Sequence, residues 1–229
     1  ATLTRSYALG DVSGVNLVGG LVGSSLNNVT ISESFAAGNV TGTGENAGGL
    51  VGSLAGSITH SYATGSVSAA GNNAGGLVGS QSGNIAFSYA LGAVSGGDAY
   101  GGGLVGRQYS GNVTASYYAT TDSTGDEINN GGNAGPGGET WLGNAHGEGR
   151  SYAELTSLET FEGWESHVDA AGGLDRMWRM YDGYTTPLLK AFLTPLAFSP
   201  AFDGSGAHLD AIAQLDEEID WDDPLLQGS

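Results

Sequence analysis

Cysteine is absent from the 229 residues, which excludes disulfide-stapled scaffolds and zinc sites built on thiolates. Lysine and arginine are scarce: six of them against 24 aspartates and glutamates leave a net charge of −18. A polyanion of this kind repels nucleic-acid phosphates and anionic lipid, so neither is expected as a partner. No apolar run approaches the ~18 residues of a membrane span, and a membrane-spanning role is not expected. Proline occupies only five positions and the 42 glycines follow no G-X-Y period, so the chain is not collagen-like. Apolar residues are not scarce. They make up 39% of the chain, enough to build a core at this length.

The charge is unevenly spread. Residues 1–116 hold Asp11, Glu33, Glu45 and Asp98 against Arg5 and Arg107, a net of −2. The other 20 acids face Arg150, Arg176, Arg179 and Lys190, a net of −16, in the half that also contains all four tryptophans. Two regions of different construction are expected.

The first region repeats itself. A serine followed by an aromatic residue opens each unit, at Tyr7, Phe35, Tyr62, Tyr89 and Tyr117, with spacings of 28, 27, 27 and 28. Val12, Val40, Val67 and Val94 follow five positions later. The tetrapeptide GLVG then recurs around Leu21, Leu50, Leu77 and Leu104, and eight or nine residues on come Val29, Ile58, Ile85 and Val113.

Each unit holds three short apolar segments punctuated by Gly, Asn and Ser, the pattern of strands and turns. Glycine this dense would cost about 1 kcal/mol per position inside a helix. One unit cannot bury its own apolar face, so the units must stack. The fold class expected is all-β: a parallel β-solenoid of about 27-residue coils, with a small mixed α+β C-terminal cap. The leucines would form one interior column, and the Val29, Ile58, Ile85 and Val113 set a second. Alternation leaves the aromatic side open. Ala63, Gly65 and Val67 share a face, which suggests Val inward and Tyr outward. Ile58, His60 and Tyr62 also share one if the chain runs straight, which puts Tyr inward. A bulge or corner between them would reconcile the two.

Three segments follow: solenoid repeats over 1–117, a capping region over 118–194, and an acidic tail over 195–229 that could start a further module. Leu3 stands four residues before Tyr7, as Ile58 does before Tyr62, so the chain opens partway through a coil and further protein is expected upstream. Ser151 and Glu154 form a capping-box pattern, with Tyr152, Leu155 and Leu158 at helical spacing. MWRMYDGYTTPLL suggests two strands around Asp182-Gly183, closed by Pro187. The dense aromatics here suit a plug over the last coil.

The repeated GGLVG, the Ile/Val strand and the S-Y-A-x-G-x-V run resemble the GLUG motif over residues 3–117. That motif occurs in bacterial surface exoproteins, including filamentous-haemagglutinin-like adhesins of two-partner secretion systems, and in some IgA-cleaving metallopeptidases. SYAELTSLETFEGWES…MWRMYDGYTTPLL resembles the block that closes such arrays, and AFDGSGAHL (201–209) the start of a bacterial Ig-like repeat. The resemblance implies an extracellular or cell-surface location and a stalk that carries other activities.

Catalytic patterns are missing. His60, His146, His167 and His208 stand alone without an HExxH partner. Asp11, Glu33, Glu45 and Asp98 occupy non-equivalent coil positions, so no acidic column forms for polysaccharide cleavage. The run Asp216 to Asp223 lacks the calcium-loop pattern; no cofactor is expected, with weak Ca²⁺ binding left open. The column Tyr7, Phe35, Tyr62, Tyr89 and Tyr117 would offer a glycan-stacking face if outward, and packing if inward. The expected function is a non-catalytic stalk or scaffold of a secreted bacterial adhesin or biofilm-matrix exoprotein, with a host or matrix glycan or surface protein as partner. Self-association through the open N-terminal coil is a further expectation. A carbohydrate-binding or carbohydrate-cleaving β-helix is the alternative.

Overall fold

Each repeat unit makes one coil, and equivalent segments of successive coils pair in parallel. The computed structural model describes residues 1–26, 28–96, 100–128, 146–164, 168–169 and 176–193. The third coil shows the plan: strands Tyr62–Ala63, Val67–Ala69, Asn73–Gly75 and Val78–Ala86. Each belongs to a different parallel sheet. Pairing is in register for the aromatics from Tyr7 through Phe35, Tyr62 and Tyr89 to Tyr117. It is equally so for Val12, Val40, Val67 and Val94. The chain is thus an all-β parallel β-solenoid of about five turns.

The interior is built from the repeated apolar positions. Leu50, Leu77 and Leu104 are fully buried, and each passes its backbone N–H or C=O to the same leucine one coil away, Leu50 N–H to Leu77 O at 2.9 Å. Ile58, Ile85, Ala63 and Ala90 join them in one cluster, while Val40, Val67, Ala47 and Ala74 fill a second. The glycine before each leucine is required by a close approach: a Cβ on Gly49 or Gly76 would overlap the carbonyl oxygen of the next coil's glycine.

A corner puts the isoleucine strand inward and the following aromatic outward. One residue per coil, Arg5, Glu33, His60, Phe87 or Ala115, takes a left-handed conformation with φ between 43° and 50°. These side chains have no common chemistry, and such a conformation costs roughly 1–2 kcal/mol for a residue with a Cβ. The serine that follows holds the bend. Ser61 Oγ donates to Thr59 O at 2.9 Å and accepts the N–H of Ser34 at 3.2 Å; Ser34 and Ser88 repeat the arrangement. The corner donors are therefore satisfied from coil to coil although the sheet is interrupted there.

The second column needs one correction. Ile58 pairs with Ile31, not Val29; Val29 pairs with Gly56 and is only half-buried, whereas Ile31 is fully buried. In the first coil Ile31 stands ten positions after Leu21, whereas Ile58 stands eight after Leu50. The surplus loops out, so the continuous strand Val51–Thr59 is matched by two pieces, Val22–Ser24 and Val29–Ser32, with Asn28 left-handed between them.

Beyond Tyr117 the strand Glu148–Arg150 adds one more rung to the aromatic sheet. Ser151 caps a four-residue helix, Tyr152–Leu155, through both capping-box hydrogen bonds. A 3₁₀ turn over Leu158–Trp164 replaces the longer helix expected from the spacing, and it buries Phe161 and Trp164. Trp178–Arg179 and Leu188–Leu189 form an antiparallel pair about a turn at Asp182-Gly183, with Gly183 at φ 76°. Pro187 precedes the second strand rather than closing it.

Candidate functional site

The aromatic column faces away from the leucines, yet it is not a free surface. Ring centroids of Tyr7, Phe35, Tyr62 and Tyr89 follow one another at 5.4, 4.9 and 5.0 Å with planes within 9° of parallel. Phe35, Tyr62, Tyr89 and Tyr117 are buried, and only Tyr7, at 56% exposure, opens to solvent. The C-terminal segment covers them. Phe161 and Trp164 pack on Tyr117, Trp178 on Tyr89 and Tyr62, and Phe192 edge-on to Phe35 and Tyr7.

This arrangement corrects two expectations. The column is closed as a glycan-stacking face, because its outward side is one wall of an apolar core. The C-terminal segment is also no plug over the last coil: it runs back along the flank from the fifth coil to the first. The end of the leucine column is instead met by Tyr118, which stands in register with Ala90, and by Gly147 against Leu104.

Polar contacts fix the cover in place. Tyr89 donates its hydroxyl to Pro187 O at 2.6 Å, and Trp164 Nε1 donates to Ala115 O at 2.9 Å, the carbonyl of a left-handed corner residue. Burial pushes the Tyr89 phenol well above its ordinary pKa, reinforced by Tyr62, with the Thr186 hydroxyl opposing. Tyr117 moves up for the same reason, with Glu148 adding and Arg150 opposing.

The other candidates are dispersed. His60 stacks on Phe87 at 5.1 Å, and His146 is buried, which lowers its pKa. His167 and His208 lie outside the described residues, as do Asp98, residues 201–209, the acidic run 216–223 and the whole tail over 195–229. Asp11 accepts the N–H of Asn39 at 2.7 Å and Glu33 pairs with Arg5 at 3.0 Å, both roles that join neighbouring coils. Among the described residues no group of three or more His, Asp or Glu side chains gathers as a metal site, and no helix is long and apolar enough to cross a membrane.

One cluster escaped the sequence reading. The Arg107 guanidinium carbon lies over the rings of both Tyr100 and Tyr109, 4.5 Å from each centroid. The signal available for it was the 28-residue spacing from Tyr89 to Tyr117, one more than the two units before it.

The chain matches the GLUG motif over residues 43–68, which carry the second GLVG, the Ile58 strand and the third Ser-aromatic corner. It contains a GLUG repeat region. No curated protein and no solved structure matches the chain.

Proposed function

We propose that this chain is a non-catalytic stalk or scaffold segment of an extracellular bacterial exoprotein of the adhesin or biofilm-matrix kind, spacing or presenting adhesive surfaces. The observation that carries the proposal is the clamp along the aromatic ladder. Strand-to-strand hydrogen bonds hold each coil to the next, and the C-terminal segment ties the fifth coil to the first through Trp164, Trp178 and Phe192. A stack closed along its flank resists shear between coils, which is what a spacer must do. The GLUG motif supports an adhesin-like repeat context. A filamentous-haemagglutinin-like parent secreted by a two-partner route, and a glycan or surface protein as its target, belong to the same proposal.

End-on self-association is part of it too. Thr2–Thr4 and, in the first coil, Tyr7–Ala8, Val12–Gly14 and Val18–Gly19 are edge strands of the four solenoid sheets, and Tyr7, Leu9, Val15, Leu17 and Leu26 are exposed. The carbohydrate-processing alternative has lost its stacking face with the burial of the ladder.

The test has two readouts. Antibody labelling of intact producing cells should match that of permeabilised cells, and a signal only after permeabilisation would contradict a surface location. In an optical trap, the intact chain tethered in series with a small helical bundle should stay folded at loads that extend the bundle. Extension of this chain first would rule out a load-bearing role.

A further inference from the structure

Three departures from the repeat fall in the fourth coil and meet at one place. Leu17, Asn46 and Asn73 of the earlier coils are replaced by Tyr100, which pairs with Asn73. Ser24, Ser53 and Ser80, a paired row, are replaced by Arg107. Tyr109 has no counterpart. Gln81 pairs with Gln108 and Ser82 with Ser110, so Tyr109 is an inserted residue in a bulge. Bulges re-aim side chains, and breaks in an otherwise consistent local pattern are commonest where function requires them.

The chemistry of the cluster is specific. The Arg107 guanidinium makes cation–π contacts with two rings, which hold it in place while its N–H groups remain hydrogen-bond donors. Arg5 and Arg150 have carboxylate partners, Glu33 and Glu148; among the described residues Arg107 has none. Tyr109 is 59% exposed, so the cluster is open to solvent. Beside it, buried Asn73 donates its amide to Asn46 Oδ1 at 2.5 Å, while its own Oδ1 has no donor among the described residues. The asparagine ladder stops there because Tyr100 brings no amide.

We propose that Tyr100, Arg107 and Tyr109 form a binding site for a sugar bearing a single carboxylate, of the uronic-acid kind. The guanidinium edge takes the carboxylate, and the hydroxyl of the exposed Tyr109 takes a sugar hydroxyl. One cation in a chain of net charge −18 favours an isolated carboxylate, since a polyuronate would be repelled by the acidic half. The proposal goes beyond the scaffold role and does not rest on it, because a rod bears load with or without this site.

Calorimetric titration of the intact chain with cellobiouronic acid, cellobiose and acetate tests it. Cellobiouronic acid should bind about tenfold or more tighter than either of the others, the scale of one charge-assisted hydrogen-bond pair. Arg107→Ser restores the residue of the earlier coils, and deletion of Tyr109 restores the 27-residue spacing. Both variants should melt as the original chain does and lose about tenfold or more in affinity. Absence of binding, equal binding of cellobiose, acetate binding as well as the disaccharide acid, or an Arg107→Ser chain that binds unchanged would each overturn the site.

Discussion

Tyr62 and Tyr89 lie in neighbouring coils with ring centroids 5.0 Å apart and planes within 1° of parallel, and Trp178 covers both, at 6.0 and 5.9 Å. In-register parallel pairing gives the rings little choice but to stack. Edge-to-face contacts, which the ring quadrupole favours, come instead from the cover, through Phe192 on Phe35 and Phe161 on Tyr117. Ladder and cover thus supply each other's missing partners, and the apolar half of one completes the other.

The serine at each corner should be worth more than its small side chain suggests. Ser61→Ala leaves the N–H of buried Ser34 without its acceptor, and the expected cost is about 1–3 kcal/mol. Ser68, exposed in the same coil, is the control, and its replacement by alanine should stay within about 0.5 kcal/mol. Chemical denaturation of both variants is the check. Equal midpoints would remove the serine ladder from the account of the corner.

The register of the first coil is testable with two truncations. Ile31→Ala should cost about 2–5 kcal/mol, as for a fully buried aliphatic side chain, and Val29→Ala distinctly less. The reverse order in thermal melting would restore Val29 to the column and refute the observed pairing.

These cases show what the sequence could reveal. Leu50, Leu77 and Leu104, and the valines from Val12 to Val94, were legible because stacking repeats one residue type at one period. The capping box at Ser151 and the turn at Gly183 were legible because both are local. A bulge or corner between Ile58 and Tyr62 was legible as what would reconcile the two alternations, but the residue that makes it was not: Arg5, Glu33, His60, Phe87 and Ala115 share only a backbone conformation, which coil closure imposes and side-chain type does not record. Nor was the docking of Trp164, Trp178 and Phe192, whose spacing shows that they must be buried but not against which surface. Ile31 was passed over because a loop insertion moved it two places from its expected position. The Arg107 cluster was hidden because repeat reading averages over units, and its information lies in how one unit differs.

Alkaline pH should unfold the chain through its tyrosines. Burial raises the Tyr89 pKa, so the unfolded chain, with tyrosines near pH 10, loses this proton first. Stability is therefore full below about pH 10 and falls as pH rises from there through the folded-state value. Tyr89→Phe should cost about 1 kcal/mol at neutral pH, from the lost bond to Pro187, and flatten the decline above pH 10. Denaturation midpoints between about pH 8 and 12 give the slope. An unchanged slope in the variant would place the titration elsewhere.

The path of the C-terminal segment along the ladder is the central structural claim, and the absence of native cysteine makes it directly measurable. Two doubly substituted chains are compared under mild oxidation: Tyr7→Cys with Phe192→Cys, and Tyr117→Cys with Phe192→Cys. Phe192 packs on Tyr7 in the first coil, so the first pair should cross-link readily within one molecule and the second should not. Cross-linking of the Tyr117 pair in preference to the Tyr7 pair would put the segment over the last coil as a plug and contradict the clamp.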